Sequence, residues 1–220
     1  MSLLAFLFME RTELVVYDLD GVITRKDTFT ALVIGRLVRS PSRFLRALPA
    51  CLTFLSGRKA QASRRIAEIA LSGMSDDDYS TLAERLGQKF GADSRWMRSD
   101  AVERVRRQHA YGSRIVIATA TEHRLASALL ATAEIPFDEL SASRLEVTTA
   151  GPKVADHRVG ARKADALRSL GIPLERVEFV TDSLTDLPTA RAAARVVLMG
   201  ASAHTRRRFD KHGIRVSRTS

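Results

Sequence analysis

The sequence predicts an α/β fold in which an open parallel sheet carries an inserted helical domain. Four short apolar runs indicate the strands, at residues 14–17, 115–118, 177–180 and 196–199. Short β-branched runs are typical of parallel strands that are buried on both faces. Helical patterns at 122–133 and 161–170, with a short turn after residue 184, alternate with the later strands. This alternation favours an open sheet with right-handed crossovers.

Polar residues follow three of the predicted strands. Asp18 comes after the first run, Thr119 after the second and Asp182 near the end of the third. Ligands of open parallel sheets bind beyond the carboxyl ends of the strands. We therefore predict a site at this edge that is rich in carboxylates and hydroxyls.

Residues 28–111 predict helices throughout and read as a cap inserted after the first strand. One apolar stripe is predicted to be core, with Cys51 as a buried small hydrophobic residue and a kink at Pro49. This stripe is Phe44, Leu45, Leu48, Cys51, Leu52 and Leu55. A second stripe is Tyr79, Leu82, Ala83, Leu86 and Phe90. Ser75 and Asp78 predict the start of the helix that carries it.

Two domains follow from these patterns, a core of residues 1–27 and 112–220 and a cap of residues 28–111. A further helix is predicted at 96–110, and a polar stretch at 139–158 fits a β-hairpin. The apolar run at 3–8 is too short to span a bilayer and lacks signal-peptide features, and Met9 offers an alternative start.

The charge of this 220-residue chain is unevenly spread. The formal net charge is +10, and no acidic residue stands between Asp27 and Glu68. Such a basic region predicts an anionic partner, or alternatively a solvated helix face. Aromatic content is only 6% and no binding module is recognised, so no nucleic-acid partner is expected. The single cysteine excludes an internal disulfide and fits a reducing, cytoplasmic location.

The segment Asp18-Leu19-Asp20-Gly21 carries the strongest chemical signal. Two carboxylates just beyond a buried strand repel each other unless a cation lies between them, and oxygen ligands suit Mg²⁺. One carboxylate can then act as a nucleophile and the other as a proton donor. Gly21 allows a sharp turn. The alternative is an ordinary junction between a strand and a turn.

A second acidic pair is formed by Asp182 and Asp186. If the intervening turn is helical, both side chains can face the same metal ion. The alternative is a capped helix start, with Asp182 or Ser183 as the cap.

Taken in order, Asp18 to Gly21, Thr119, Lys163 and Asp182 to Asp186 resemble the motifs of the haloacid dehalogenase (HAD) superfamily. The helical insertion is similar to the cap of the phosphoserine-phosphatase-like branch, and the resemblance implies a Rossmann-like core. It covers nearly the whole chain. Lys163 is preferred to Lys153 because it should open the helix that precedes the third strand.

The resemblance implies a role for each matching residue. Asp18 is the expected nucleophile, and Asp20 the general acid and base. Thr119 is expected to bind a phosphoryl oxygen, and Lys163 to neutralise charge. Mg²⁺ is expected to be held by the Asp18 side chain, the Asp20 backbone carbonyl, Asp182 and Asp186. An acid at the position of Asp20 implies phosphate esters rather than haloacids.

Three departures leave phosphoserine doubtful as the substrate. Asp27 stands where phosphoserine phosphatases carry a glutamate, Thr119-Ala120-Thr121 replaces Ser-Gly-Gly, and Thr181 replaces a glycine. Asp27, Thr119, Ala120 and Lys163 are the expected substrate-binding residues, although Asp27 also fits a first-turn aspartate of the cap helix.

The segment from Arg39 to Gly57 is also similar to caps that handle prenyl- or lipid-linked phosphates. A small-molecule or lipid-linked phosphate ester is thus the expected substrate, with possible peripheral membrane contact through the basic cap. The predicted function is a Mg²⁺-dependent phosphatase that forms an aspartyl phosphate. The alternative is a non-catalytic module that binds phosphorylated ligands or anionic surfaces.

Overall fold

The computed structural model describes residues 13–55, 59–149 and 151–217. The apolar N-terminal run and Met9 lie outside these residues. The strands are β1 (Leu14–Tyr17), β2 (Arg114–Glu122), β3 (Glu139–Thr148), β4 (Gly151–Asp156), β5 (Val177–Thr181), β6 (Arg195–Leu198) and β7 (Val216–Ser217). They form one sheet in the order β4-β3-β2-β1-β5-β6-β7. All neighbouring pairs are parallel except β3 and β4. The predicted α/β fold class is confirmed.

Nine α-helices stand in the described residues. They are α1 (Thr28–Val38), α2 (Pro41–Leu55), α3 (Lys59–Leu71), α4 (Asp76–Ala92), α5 (Ser99–Ala110), α6 (His123–Thr132), α7 (Ala161–Ser169), α8 (Leu187–Ala192) and α9 (Ala203–Lys211). Two 3-10 turns add Leu174–Arg176 and Leu184–Asp186. No described helix combines the length and apolarity needed to cross a bilayer.

The central strand β1 explains the layered core. Val15, Val16 and Tyr17 are all fully buried. Since successive side chains of a strand point to opposite faces, both faces of the sheet must be covered here. Val15 and Tyr17 join the apolar cluster that includes residues of α1, α4 and α6. Val16 joins the second cluster, with residues of α7, α8 and α9. Burial on both faces is the reason the strand reads as a continuous apolar run.

The helices α4 and α5 pack on the sheet layer rather than only on the cap. A Cβ atom on Gly87 of α4 would lie 2.6 Å from Cβ of Ala128 in α6, so these helices approach closely. In α5, Arg104 donates to Glu178 of β5 at 2.7 Å. The domain boundary at residue 111 stays a prediction. The predicted start of α4 is confirmed, since Ser75 and Asp78 form a reciprocal capping box.

The predicted orientation of α2 is wrong. The described side chains of its apolar stripe face outward, and Cys51 is exposed rather than buried. The side chain of Leu55 lies outside the described part of the structure. Phe44, Leu45, Leu48 and Leu52 are 49%, 63%, 43% and 69% exposed. The inward side consists of small residues, with Ala47 and Ala50 buried, and the helix continues across Pro49. Periodicity locates a stripe but does not say whether a partner covers it.

The hairpin of β3 and β4 is confirmed, and it supports the cap. Gly151 opens β4 with a φ of +115°, a left-handed conformation that favours glycine. A Cβ atom there would lie 2.9 Å from the carbonyl oxygen of Leu71, at the end of α3. The hairpin therefore contacts the cap at the edge of the sheet that is formed by β4, on the other side of β1 from β5.

Candidate active site

The strands β2, β1 and β5 are neighbours, so their carboxyl ends place polar residues side by side. Tyr17 is in register with Ile117 and Val180. The amide of Asp18, just beyond β1, donates to the carbonyl of Val180 at 2.9 Å. Asp18 therefore continues the line of the strand and is only 7% exposed.

Lys163 joins two carboxylates at the floor of the site. As the third residue of α7, it is buried and places Nζ 3.0 Å from Oδ1 of Asp18 and 2.9 Å from Oδ1 of Asp186. Thr181, the last residue of β5, donates its hydroxyl to Oδ2 of Asp186 at 2.8 Å. The competing Lys153 is exposed on β4. The structure thus brings Lys163, rather than Lys153, to the strand end.

Asp20 is held by hydroxyl groups. Its Oδ1 accepts hydrogen bonds from the amide and the hydroxyl of Thr28, both at 2.9 Å. Its Oδ2 accepts from the hydroxyl of Thr121 at 2.6 Å, and the hydroxyl of Thr119 lies at 3.5 Å. Because Thr28 opens α1, the carboxyl group of Asp20 is tied directly to the first turn of that helix.

Asp182 lies against the turn that follows β1. Gly21 adopts a φ of +82°, and a Cβ atom there would overlap the carboxylate of Asp182. Only glycine satisfies both the left-handed backbone and this close approach. Burial, together with the negative charge of Asp186, raises the pKa of Asp182 to about 6.

The electrostatics of the site are dominated by excess negative charge. Burial raises the pKa of Asp18 well above its ordinary value, although the Lys163 ammonium opposes the shift. Burial also raises the pKa of Asp20, and the charge of Asp27 adds to the effect. Burial alone would lower the pKa of Lys163, but Asp18 and Asp186 raise it instead. One ammonium therefore faces several carboxylates.

The donor set fits a hard divalent cation. Asp18, Asp182 and Asp186 offer carboxylate oxygens, and burial together with the charge of Asp186 disfavours the ionised form of Asp182, which a bound cation would stabilise. Within the described ranges, no group of three or more His, Cys, Asp or Glu side chains is arranged as a ready-made metal site. The backbone carbonyl of Asp20, which the expected ligand set includes, is not a side-chain group.

The remaining predicted residues are placed as follows. Thr119 is fully buried and accepts a hydrogen bond from the amide of Thr121 at 3.0 Å. Ala120 lies between them and is half-buried. Asp27 is exposed and caps α1, where Oδ1 accepts from the amide of Thr30 at 2.6 Å. Asp27 was alternatively expected as an aspartate of the first turn of the cap helix, and its observed position as N-cap is one residue before that turn. The capping hydrogen bond occupies one of its two carboxylate oxygens.

The predicted site residues did not include Thr28, Thr121, Thr181 or Arg98. Thr121 could have been found, because it is two residues from Thr119 on a strand and shares its face. Thr181 had been noted only as a departure from glycine. Arg98 donates to the carbonyls of Val22 and Gly21 at 3.1 Å and 3.2 Å, which holds the turn after β1. Its distance of 77 positions from Gly21 leaves no local signal.

Two surface clefts lie away from these carboxylates. One, of about 340 Å³, is lined by Asp100, Glu103, Arg104, Arg107, Leu198, Met199, Gly200 and Arg206. Another, of about 480 Å³, is lined by Arg25, Gly91, Ala92, Ser94, Met97, Ser99, Val102, Arg106 and Ala133. Neither is lined by Asp18, Asp20, Asp182 or Lys163. The candidate site is therefore defined by its cluster of carboxylates with Lys163, and not by either of these two clefts.

Residues 15–191 match the profile of the haloacid dehalogenase-like hydrolases, and the chain belongs to this family. The match includes both acidic motifs, Thr119 and Lys163. The chain is therefore a hydrolase of this class. A search of curated protein sequences found no match.

Solved structures share the fold at low sequence identity. A protein of unknown function from Bordetella pertussis Tohama I is 19% identical with a TM-score of 0.71, over 92% of this chain and 96% of that one. A probable phosphoserine phosphatase from Vibrio cholerae is 17% identical with a TM-score of 0.66, over 96% of this chain and 61% of that one. A phospho-aspartyl intermediate analogue of phosphoserine phosphatase is 14% identical with a TM-score of 0.59, over 92% and 99%. The chain thus shares its fold with phosphoserine phosphatases.

Proposed function

We propose that this protein is a Mg²⁺-dependent phosphatase that hydrolyses a phosphate monoester through an aspartyl phosphate on Asp18. The observation that carries the proposal is the contact of Lys163 with both Asp18 and Asp186 beside the second carboxylate of Asp20. A module that only binds phosphate has no use for a buried nucleophile with a separate acid two residues away. The proposal also rests on the family and on the phosphatase names of structures with this fold.

In the first step, a carboxylate oxygen of Asp18 attacks phosphorus and the bond from phosphorus to the ester oxygen breaks. Asp20 gives its proton to the departing oxygen, so the leaving group departs as an alcohol. The hydroxyls of Thr28 and Thr121 hold Asp20 in place for this transfer. Lys163 and the hydroxyl of Thr119 are proposed to bind phosphoryl oxygens, which carry the charge of the transition state.

In the second step, water attacks the phosphorus of the aspartyl phosphate. Asp20, now a carboxylate, takes a proton from this water, and the bond from phosphorus to Asp18 breaks. Inorganic phosphate leaves and Asp18 is again a carboxylate. Mg²⁺, proposed to be held by Asp18, the Asp20 carbonyl, Asp182 and Asp186, would supply positive charge when bound.

The test is phosphate release from an aryl phosphate with Mg²⁺ and with a chelator, for the wild type, Asp18→Asn and Asp20→Asn. We expect Mg²⁺-dependent release that Asp18→Asn abolishes. Acid quenching with ³²P-labelled substrate should trap label on the wild type but not on Asp18→Asn. Asp20→Asn should accumulate label, because an aryl leaving group needs little protonation while the second step loses its base, a loss of about 10²–10⁴-fold in turnover.

Equal release by the wild type and Asp18→Asn would refute the proposed nucleophile. Absence of release and of label across a broad phosphate-ester panel would instead favour the binding module.

Asp27 and Ala120 are also proposed to contact the substrate. Asp27→Asn keeps a capping side chain for α1, so an altered KM with unchanged stability would support that role.

We also propose a cytoplasmic location. The exposed free thiol of Cys51 supports it, because unpaired surface thiols persist in a reducing compartment. Fractionation of the native cells, followed by antibody detection, tests it, and recovery in an oxidising extracellular fraction would contradict it.

A further inference from the structure

The outward side of α2 is an apolar surface with no partner among the described residues. Its members are Phe44, Leu45, Leu48 and Leu52, each more than 40% exposed, and we call them the α2 outer face. At 100° per residue they fall within one arc of the helix, spaced by one, three and four positions. Near the turn into α2, helix α1 adds Ile34 and Val38, which are 53% and 71% exposed. Clustered exposure of this kind marks an interaction site rather than scattered surface residues.

The inner side of the same helix shows that the orientation is built in. Ala47 and Ala50 are buried, and Arg43 donates to the carbonyl of Ser72 at 3.3 Å. The helix therefore packs through its small residues and an arginine, and leaves its large apolar residues outside. A helix that merely covered a core would do the reverse.

The charge around the α2 outer face is positive. Arg39 and Arg46 are exposed on or next to α2, and Arg64 and Arg65 are exposed on α3. Within the part of the chain that the structure describes, Arg64 alone of these four forms an ion pair, with Glu68 at 3.3 Å. From residue 28 to residue 67 the sequence contains no aspartate or glutamate. The apolar side chains are thus flanked by a surplus of positive charge.

We propose that the α2 outer face docks on the surface of an anionic lipid bilayer. Amphipathic helices of this kind lie in the interface with their apolar side about 5–10 Å deep, while basic residues meet the lipid phosphates. A second copy of the chain fits less well, because a two-fold contact would bring together two surfaces that each carry the charges of Arg39 and Arg46. The surface does not depend on the chemistry at Asp18.

The experiment is flotation with vesicles, using the Asp18→Asn protein so that catalysis plays no part. Vesicles of phosphatidylcholine alone are compared with vesicles in which about one lipid in four is phosphatidylglycerol. We expect binding to the anionic vesicles that weakens between about 0.1 M and about 1 M salt, as the Debye length falls from about 10 Å to about 3 Å.

Two double variants, each with a matched control, distinguish binding through the α2 outer face from non-specific adsorption to the vesicles. Leu45→Ser with Leu52→Ser should lower the partition coefficient about tenfold or more, since it removes buried apolar area. Its control is Tyr111→Ser with Leu170→Ser, which alters two apolar residues that are exposed elsewhere. Arg39→Gln with Arg46→Gln should also lower it about tenfold or more. Its control is Arg207→Gln with Arg208→Gln, in the exposed basic patch of α9.

Each alternative result overturns the proposal in a definite way. Equal flotation with neutral and anionic vesicles, or equal loss in the control variants, would exclude this face as an anionic-lipid site. No flotation, together with a dimer that Leu45→Ser with Leu52→Ser converts to monomer, would assign the face to a second copy. Circular dichroism of every variant establishes that folding is unchanged.

Discussion

Asp20 owes its position to neutral donors, and this distinguishes it from Asp18. Lys163 contacts Asp18, whereas the oxygens of Asp20 receive hydroxyl and amide hydrogen bonds. A neutral cage orients a carboxyl group without holding it permanently charged, because no cation favours the ionised form. Such a cage suits a residue that has to give up a proton and take one back within a single turnover.

Thr121→Val is expected to lower kcat about tenfold. It removes the 2.6 Å hydrogen bond to Oδ2 of Asp20, and a bond to a charged group is worth about 1.5–3 kcal/mol. Since that bond also lowers the pKa of Asp20, the basic limb of the pH profile of kcat should move upward. The measurement is steady-state hydrolysis across pH.

The matched control is Thr189→Val, at a residue of α8 that is fully buried and whose hydroxyl has no partner in the described part of the chain. A buried hydroxyl without a partner costs free energy, so this variant should keep its activity and gain up to about 1 kcal/mol in unfolding free energy. Equal kinetic effects of the two substitutions would contradict the role given to Thr121.

At this scale the sequence identified the residues with chemically distinctive side chains. Asp18, Asp20 and Asp182 stand at or just beyond strand ends, where pattern alone locates them. Lys163 was identified only through the resemblance to the motifs of the family. Thr28 and Thr181 were given no role because a threonine hydroxyl becomes informative only when its acceptor is known. The acceptor of Thr28 lies across a turn, and that of Thr181 across a 3-10 helix.

At the scale of elements, two helix glycines differ in the space that an added Cβ atom would find. Gly87 of α4 meets Ala128 and the backbone of α6, whereas a Cβ atom on Gly35 of α1 would meet only the flexible end of Arg39 at 3.3 Å. Gly87→Ala should lower the unfolding free energy by about 1–3 kcal/mol through overpacking. Gly35→Ala should raise it by about 0.5–1 kcal/mol. Urea titration of both variants checks the pair, and a similar sign for both would contradict it.

A buried ion pair joins α5 to β5. Burial would raise the pKa of Glu178, but hydrogen bonds from Arg104 and Gln108 lower it below its ordinary value near 4.5. The unfolded chain therefore binds this proton more readily, so the contribution to stability is present above about pH 4.5 and is lost as the pH falls through the lower folded value.

Glu178→Gln tests this assignment. It should lower the unfolding free energy at neutral pH by about 3 kcal/mol, because the buried Arg104 loses its counter-charge. It should also flatten the acid limb of the stability profile. Thermal unfolding from acid to neutral pH gives both quantities, and a parallel profile at all pH values would exclude Glu178 as the source.

The elements differ in how well the sequence predicts them. The strands β1, β2, β5 and β6 are apolar on both faces, so composition alone identifies them. Helix α9 was not among the predicted helices, because it buries little besides Phe209 and so has a weak apolar pattern. Strand β7 has only two residues. The inverted orientation of α2 could not be foreseen, since its partner, or the lack of one, is a property of the tertiary fold.

For the molecule as a whole, we expect the carboxylates proposed to bind the metal to lower the stability of the metal-free protein. Because the pKa of Asp182 is raised to about 6, the folded state binds this proton more tightly than the unfolded state. Its cost to stability therefore grows as the pH rises from about 4 and is fully present above about 6.

Asp182→Asn should accordingly be more stable than the wild type at neutral pH in a chelator. Mg²⁺ at about one hundred times its Kd should add about 2.7 kcal/mol to the wild type and much less to the variant. Thermal unfolding with and without Mg²⁺ measures both effects. Asp165→Asn, at an exposed position of α7, is the control. Equal stabilisation of Asp182→Asn and wild type by Mg²⁺ would remove Asp182 from the ligand set.

If Asp20 is the acid that we propose, its bond with Thr28 would link enclosure of the substrate to the timing of the reaction. With the first turn of α1 moved away, Asp20 would lose two donors and gain water, and its proton affinity would return toward that of a free aspartate. Return of the turn would restore those two donors. Proton transfer would then coincide with closure, so an ester that kept the helix from settling would be released unreacted.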